Sequence, residues 1–196
     1  TADTITIDYY GSDFTIQDGP WKGRNLHELY RETQTPFEWF AYLFSRARAL
    51  GITAFASVFD KTSVDMLEQL GCPAYKIASM EITDTPLIRH ASNTGKPILL
   101  STGMANYQEI ADASFAAITN AECAVLHCVS GYPTNIRDAN LGQLGKHSSL
   151  YGISDHTLGY TIPVAATAMG ACIIEKHGML GGEHTEDHDF SLGPLE

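Results

Sequence analysis

From Gly51 onward one pattern repeats along the chain: a short apolar run rich in β-branched residues, a polar cluster, then an amphipathic stretch of roughly helical length. The runs are Ile52 to Ala56, Ala74 to Ala78, Pro97 to Leu100, Ala124 to Cys128, Tyr151 to Ile153 and Ala171 to Ile174. Between them lie helix candidates at Ser63 to Leu70, Thr85 to Ser92 and Tyr107 to Ile118, the last with Asn106 as N-cap. Upstream, Thr35, Pro36 and Glu38 read as a capping box with proline at the first helical position, opening a helix to about Leu50. Near-continuous apolar strands alternating with helices predict an α/β fold with a parallel sheet covered on its faces.

An open doubly wound sheet and a closed barrel both satisfy this rhythm, so the polar residues decide. They close or follow every run: Ser57 and Asp60; Lys76, Ser79 and Glu81; Ser101 and Thr102; His127 and Ser130; Ser154, Asp155 and His156; Glu175 and His177. A site drawn from six consecutive strand ends is the arrangement of a (β/α)₈ TIM barrel, whereas an open sheet concentrates its site at one switch point. Six strands do not close such a barrel. The first two are expected before Thr1, with residues 35–196 forming βα units 3 to 8 of a single, incomplete domain. Residues 1–34, with scattered Gly11, Gly19 and Gly23 and a short helix candidate at Leu26 to Tyr30, are expected to be a long loop region on the catalytic face.

Charge narrows the partners. Twelve basic residues against 23 acidic ones give a formal net charge of -11, which repels nucleic acid and anionic membranes, so any phosphate must be held locally. The opening TADTITID has no charged n-region followed by an apolar stretch, and no run approaches the roughly 20 residues that span a bilayer. No initiator Met is present, so the chain is expected to begin inside a longer protein. Cys72, Cys123, Cys128 and Cys172 form no CxxC pair and predict reduced, buried thiols in a cytoplasmic protein.

Several of these polar residues can carry chemistry. His156 and His177 follow successive strands and, in a barrel, enter one mouth from neighbouring staves, where two imidazoles can hold a divalent cation with Asp155 and Glu175 beside them. Lys76 in AYKIAS is a cation inside an apolar strand and needs an anion. That anion is a substrate phosphate or carboxylate, helped by Ser57, Ser79, Ser101 and Ser154, or an internal acid such as Glu81; a desolvated Schiff-base lysine is the third reading. Glu81 and Glu175 can move protons, and Tyr132 before Pro133 shapes a wall or merely a turn. STGM, Ser101 to Met104, puts hydroxyls and a glycine where a strand meets a helix N-terminus, a setting for an anion. His184 and His188, among acids, read as a solvated loop over the mouth or a second metal cluster, and Trp21 in DGPWKGR packs on substrate or on the rim.

In order, the strings AYKIAS, GKPILLSTGM, LHCVSGYP, GISDHTLGY and IIEKH resemble the sialic-acid synthase family, and DGPWKGRNLHELYRETQTPFEW is similar to its pseudaminic acid branch. The resemblance implies a metal-dependent transferase of the TIM-barrel class that joins phosphoenolpyruvate to an acetamido sugar, with manganese or magnesium held at His156 and His177. It implies phosphoenolpyruvate contacts at Lys76, Ser57, Ser79, Ser101, Ser130 and Ser154, with Glu81, Tyr132, Glu175 and Asp187 around the sugar and the reacting centre. It further implies a C-terminal antifreeze-like domain outside this chain and a homodimer in the full-length protein. For the pseudaminic branch the sugar is a 2,4-diacetamido-2,4,6-trideoxyhexose; N-acetylneuraminate or legionaminate synthesis is the alternative, ahead of an aldolase or an inactive fragment.

Overall fold

The structure, a computed structural model, describes residues 2–181 and 185–196. Six parallel strands pair in strict chain order: β1 (Ala56–Ser57), β2 (Tyr75–Ile77), β3 (Ile98–Ser101), β4 (Cys123–Cys128), β5 (Tyr151–Asp155) and β6 (Ile173–Lys176). Helices α1 (Ala2–Ile5), α2 (Leu26–Thr33) and α3 (Phe37–Ala49) precede β1; α4 (Lys61–Gln69), α5 (Thr85–Ser92) and α6 (Tyr107–Ile118) bridge β1 to β4, and α7 (Thr161–Ala168) bridges β5 to β6. Among the described residues β1 and β6 remain the two edges of an open sheet.

The sheet is nevertheless strongly curled. Lys76 on β2 and Glu175 on β6 lie four strands apart in the pairing order, yet Lys76 Nζ is 3.7 Å from Glu175 Oε1. Only an arc closing toward a barrel brings such residues together.

The pleat then sorts the sequence by parity, because neighbours in a parallel ladder share a face and successive residues alternate. The ladder matches Ser57 with Lys76, Lys76 with Leu99, Ser101 with Leu126, Cys128 with Ser154, and Ser154 with Glu175, all on the concave face. The opposite parity, Tyr75, Ile77, Ile98, Leu100 and Val125, packs with Val64 and Leu67 of α4, Leu87, Ile88 and Ala91 of α5, and Ile110, Ala113 and Ala117 of α6. This convex layer is the main core, and a smaller one joins Ile153 to Ile162, Ala166 and Ala171.

Helix starts follow local chemistry. Asp60 accepts from the Ser63 amide at 2.6 Å and Asp84 from Leu87 at 3.0 Å, while Asn106 and Glu109 form a full capping box. Asp60, expected among the mouth residues, is thereby committed to a cap. The expected Thr35 box does not form: Pro36 itself is the N-cap residue, extended at ψ 136°, with no side-chain cap bond. The run expected as a strand from Ile52 shrinks to two residues, since β1 is an edge and Ile52 and Phe55 stay exposed. Helix α7 is not marked by the sequence pattern because TIPVAATA is apolar on every side and shows no 3.6-residue stripe.

All four cysteines are free thiols; Cys72, Cys123 and Cys128 are buried as expected, whereas Cys172, just before edge strand β6, is exposed. No helix among the described residues is long and apolar enough to cross a membrane.

Candidate active site

The concave face carries a buried ammonium. Lys76 is 5% exposed; its Nζ donates to the Ile77 carbonyl at 2.8 Å and faces Glu175. Burial pulls its pKa below the ordinary lysine range, against the opposing charges of Glu175, Cys128 and Glu81. Glu175 in turn accepts from Ser154 Oγ at 2.6 Å, so three strands contribute to one polar cluster. The internal acid is therefore Glu175, and Glu81, in the turn after Lys76's own strand, is a second nearby carboxyl. Glu81 follows β2 in a short 3₁₀ turn, is 8% exposed, and its Oε2 has no hydrogen-bond partner among the described residues. Burial pushes its carboxyl up to about 7, Lys76 pulling the other way.

Hydroxyls line the same face. Ser101 Oγ is buried and has no hydrogen-bond partner among the described residues. Ser79 Oγ donates to Cys128 Sγ at 3.3 Å, and Ser130 Oγ lies 3.8 Å from the same sulfur. Gly103, at φ +44°, lets the STGM turn press against these two serines: a Cβ there would stand 2.3 Å from Ser79 Cβ and 3.1 Å from Ser130 Oγ. Ser57 shares the face by register with Lys76 but is exposed at the edge.

The two candidate metal histidines converge. His156 and His177 have ring centroids 5.3 Å apart. His156 Nδ1 lies 3.1 Å from the Val129 carbonyl; donating there puts its proton on Nδ1 and leaves the Nε2 lone pair for a cation. His177 Nδ1 lies 3.2 Å from Asp187 Oδ2. Among the described residues no three His, Cys, Asp or Glu side chains form a ready-made cation cage, so an ion held by this pair would need its other positions filled by water or substrate oxygens. Tyr132 flanks both rings, at 4.4 Å from His156 and 6.4 Å from His177.

Two expected site residues lie elsewhere. Asp155 does not join Glu175: its parity turns it to the other face, where Lys176 Nζ donates to Oδ2 at 2.8 Å and Thr157 supplies its amide and hydroxyl. Both carboxylate oxygens are thus occupied in a buried ion pair. His127 likewise faces outward and bonds the Ala139 carbonyl at 2.9 Å. Of the His-rich tail, Glu183 and His184 lie outside the described residues.

Sequence reasoning passed over Cys128, which sits between Ser79, Ser130 and His156. Burial raises the thiol's pKa, but those three neighbours outweigh it and the net shift is downward. For His156, burial lowers the pKa and the Cys128 and Val129 contacts outweigh it upward. The period-two pattern Ala124, Leu126, Cys128 was the available signal. Phe190 was also missed; it is buried, with its ring 4.9 Å from that of His177.

The sequence profile of the NeuB family matches residues 1–196. The chain belongs to the NeuB family. It is 42% identical over 199 residues to the pseudaminic acid synthase of Helicobacter pylori, covering 98% of this chain and 58% of that protein. It is 38% identical to the N,N'-diacetyllegionaminic acid synthase of Legionella pneumophila, covering all of this chain and 61% of that one. Among solved structures it resembles an N-acetylneuraminic acid synthetase from Leptospira borgpetersenii in complex with citrate, at TM-score 0.81 and 34% identity, over 87% of this chain and 62% of that one. The chain thus spans about three-fifths of the length of the curated relatives it matches.

Proposed function

We propose that the full-length protein condenses phosphoenolpyruvate with an acetamido sugar of the 2,4-diacetamido-2,4,6-trideoxyhexose class, forming pseudaminic acid and releasing phosphate. The observation that carries this reading is the meeting, on one concave face, of the Lys76, Glu175 and Ser154 cluster with the His156 and His177 pair. The pseudaminic branch is favoured over the neuraminate and legionaminate variants by the relatives at 39–42% identity.

In this reading a (β/α)₈ barrel is completed by chain outside these residues, and the protein works in the cytoplasm as a homodimer. His156 and His177 hold a divalent ion, manganese or magnesium, which when bound supplies Lewis acidity toward the sugar aldehyde. Lys76 and the hydroxyls of Ser57, Ser79, Ser101, Ser130 and Ser154 hold the phosphate and carboxylate of phosphoenolpyruvate, a focused cationic pocket in an acidic protein. Carbon 3 of the enol attacks the aldehyde carbon; Glu81, raised to about 7 and so about half protonated at neutral pH, delivers a proton to the oxygen that becomes a hydroxyl. Glu175 orients water onto carbon 2 and takes one of its protons; the other passes to the departing phosphate as its bond to carbon 2 breaks, leaving the ketone. Tyr132 and Asp187 border the sugar. Asp155 has no place in these steps; its ion pair holds the strand end that carries Ser154 and His156.

The test is to mix the full-length protein with manganese, phosphoenolpyruvate and each acetamido sugar and to follow phosphate release. Sugar-dependent release abolished by EDTA is expected. No release above background with any sugar overturns the proposal. A Schiff-base lyase, favoured only by the lowered Lys76 pKa, predicts chelator-indifferent turnover and borohydride trapping of a keto acid at Lys76.

A further inference from the structure

One feature of the rim serves none of these steps. The segment from Ile16 to Arg24 is closed by two backbone bonds, Ile16 N to the Arg24 carbonyl at 3.0 Å and Gly23 N to the Ile16 carbonyl at 2.8 Å, with a bridge between Thr15 and Asn25 at its base. Its tip is tied to a part of the chain more than 160 positions away. Trp21 Nε1 donates to the Glu186 carbonyl at 3.2 Å, and Arg24 Nη1 to Glu186 Oε1 at 2.8 Å. The tie sets the indole 5.6 Å from the Tyr132 ring and 6.0 Å from Phe190, edge-on to the latter. Tyr132 and Phe190 are the rings that flank His156 and His177. Trp21 is therefore the outermost member of one continuous aromatic wall that begins at the histidine pair.

The chemistry of that wall is restricted. With its N–H committed to Glu186, the indole offers a ligand only its apolar surface. Arg24 is held by both Glu32 and Glu186, while Lys22 next to Trp21 is exposed. Asp187 stands beside His177 and Glu186 beside the indole, so carboxylates edge the wall. An apolar surface edged by carboxylates accepts an uncharged methyl-bearing group and rejects a phosphate.

We propose that Trp21, with Tyr132 and Phe190, is a specificity-determining wall that receives a methyl-bearing part of the sugar, the deoxy carbon or an acetamido methyl. It discriminates against a hydroxymethyl sugar and, more strongly, against a phosphorylated one. The proposal rests on the synthase reading for its substrate class, and its test separates the two.

Steady-state kinetics of the full-length protein are measured with the 2,4-diacetamido-2,4,6-trideoxyhexose, N-acetylmannosamine and N-acetylmannosamine 6-phosphate, for wild type, Trp21→Phe and Trp21→Ala. A methyl-sized contact in an apolar pocket is worth roughly tenfold or more in discrimination. Trp21→Ala is expected to raise KM for the deoxy sugar about tenfold with kcat and the KM of phosphoenolpyruvate little changed, while the preference over N-acetylmannosamine shrinks by a similar factor. Trp21→Phe keeps a ring and recovers most of the preference. In parallel, a Trp39→Phe background leaves Trp21 as the sole tryptophan of this segment, and its fluorescence is titrated with each sugar without phosphoenolpyruvate. Saturable quenching that is strongest for the deoxy sugar is expected. Equal losses for all three sugars, or a Trp21 signal blind to the deoxy sugar, overturn the wall. Quenching in a wild-type protein that turns over no sugar overturns the synthase reading and leaves the wall standing.

Discussion

The buried pair of Asp155 and Lys176 lends itself to a quantitative perturbation, Asp155→Ala in the full-length protein. The Asp155 side chain is 2% exposed and that of Lys176 is 8% exposed, so neither charge is solvated by bulk water. Removing the carboxylate leaves the ammonium with the Thr157 carbonyl alone and strips the Thr157 amide and hydroxyl of their acceptors. Breaking a buried pair from one side costs about 3–5 kcal/mol. Lys176→Met is expected to cost less, about 2 kcal/mol, because Asp155 keeps both Thr157 donors. The double variant removes both charges and should recover part of the loss, giving a coupling of about 2 kcal/mol in the cycle. In urea, with a slope of about 2 kcal/mol per molar, Asp155→Ala should lower the unfolding midpoint by roughly 1.5–2.5 M. Turnover per folded molecule, measured well below that midpoint, should stay within a few-fold of wild type. A midpoint shift under about 0.5 M together with a collapse of turnover would refute the reasoning and return Asp155 to the reacting centre.

The remaining predictions concern the concave face. Glu81→Gln should abolish most turnover yet stabilise the fold: a carboxyl raised to about 7 favours folding least once pH exceeds that value, so wild-type stability is lost between the ordinary glutamate range and pH 7. The variant should therefore be more stable at pH 8, by up to roughly 3 kcal/mol, and no more stable at pH 4, which denaturant titrations at the two pH values will show. His156→Ala and His177→Ala should each remove manganese uptake by calorimetry while phosphoenolpyruvate still binds; unchanged uptake in both rejects the pair as ligands. Lys76→Met should weaken phosphoenolpyruvate binding at least a hundredfold and cost less stability than Asp155→Ala, since the Glu175 carboxylate it leaves behind is 36% exposed and keeps the Ser154 donor. Gly103→Ala should cost activity and stability together, the added methyl colliding with Ser79 at a left-handed φ.

Much of this arrangement was legible because strand and helix periods differ. The rhythm of runs located all six strands, and α5 and α6 keep the limits expected from Thr85 and from the Asn106 cap. His156, His177, Lys76 and Glu175 were readable because a polar side chain at the end of an apolar run costs free energy unless it meets a partner or a ligand. The failures share a cause as well. Asp155 and His127 stand one residue from inward-facing positions, and their place at a strand end does not register which side of the pleat each occupies. Asp60 and Thr35 depended on cap geometry, which hinges on single dihedral angles. The contact of Trp21 with Glu186 spans more than 160 positions, and local pattern carries no trace of it.

The alternation along the strands has a further bearing on how such a chain can vary. Substitutions at 75, 77, 98 and 100 press on the helix-packed layer and should show up as lost abundance, whereas those at 76, 101, 154 and 175 should spare abundance and silence the reaction. A saturation scan read out separately for expression and for catalysis would therefore oscillate with a two-residue beat, the two signals out of phase. Selection can then remodel what the protein consumes without renegotiating whether it folds.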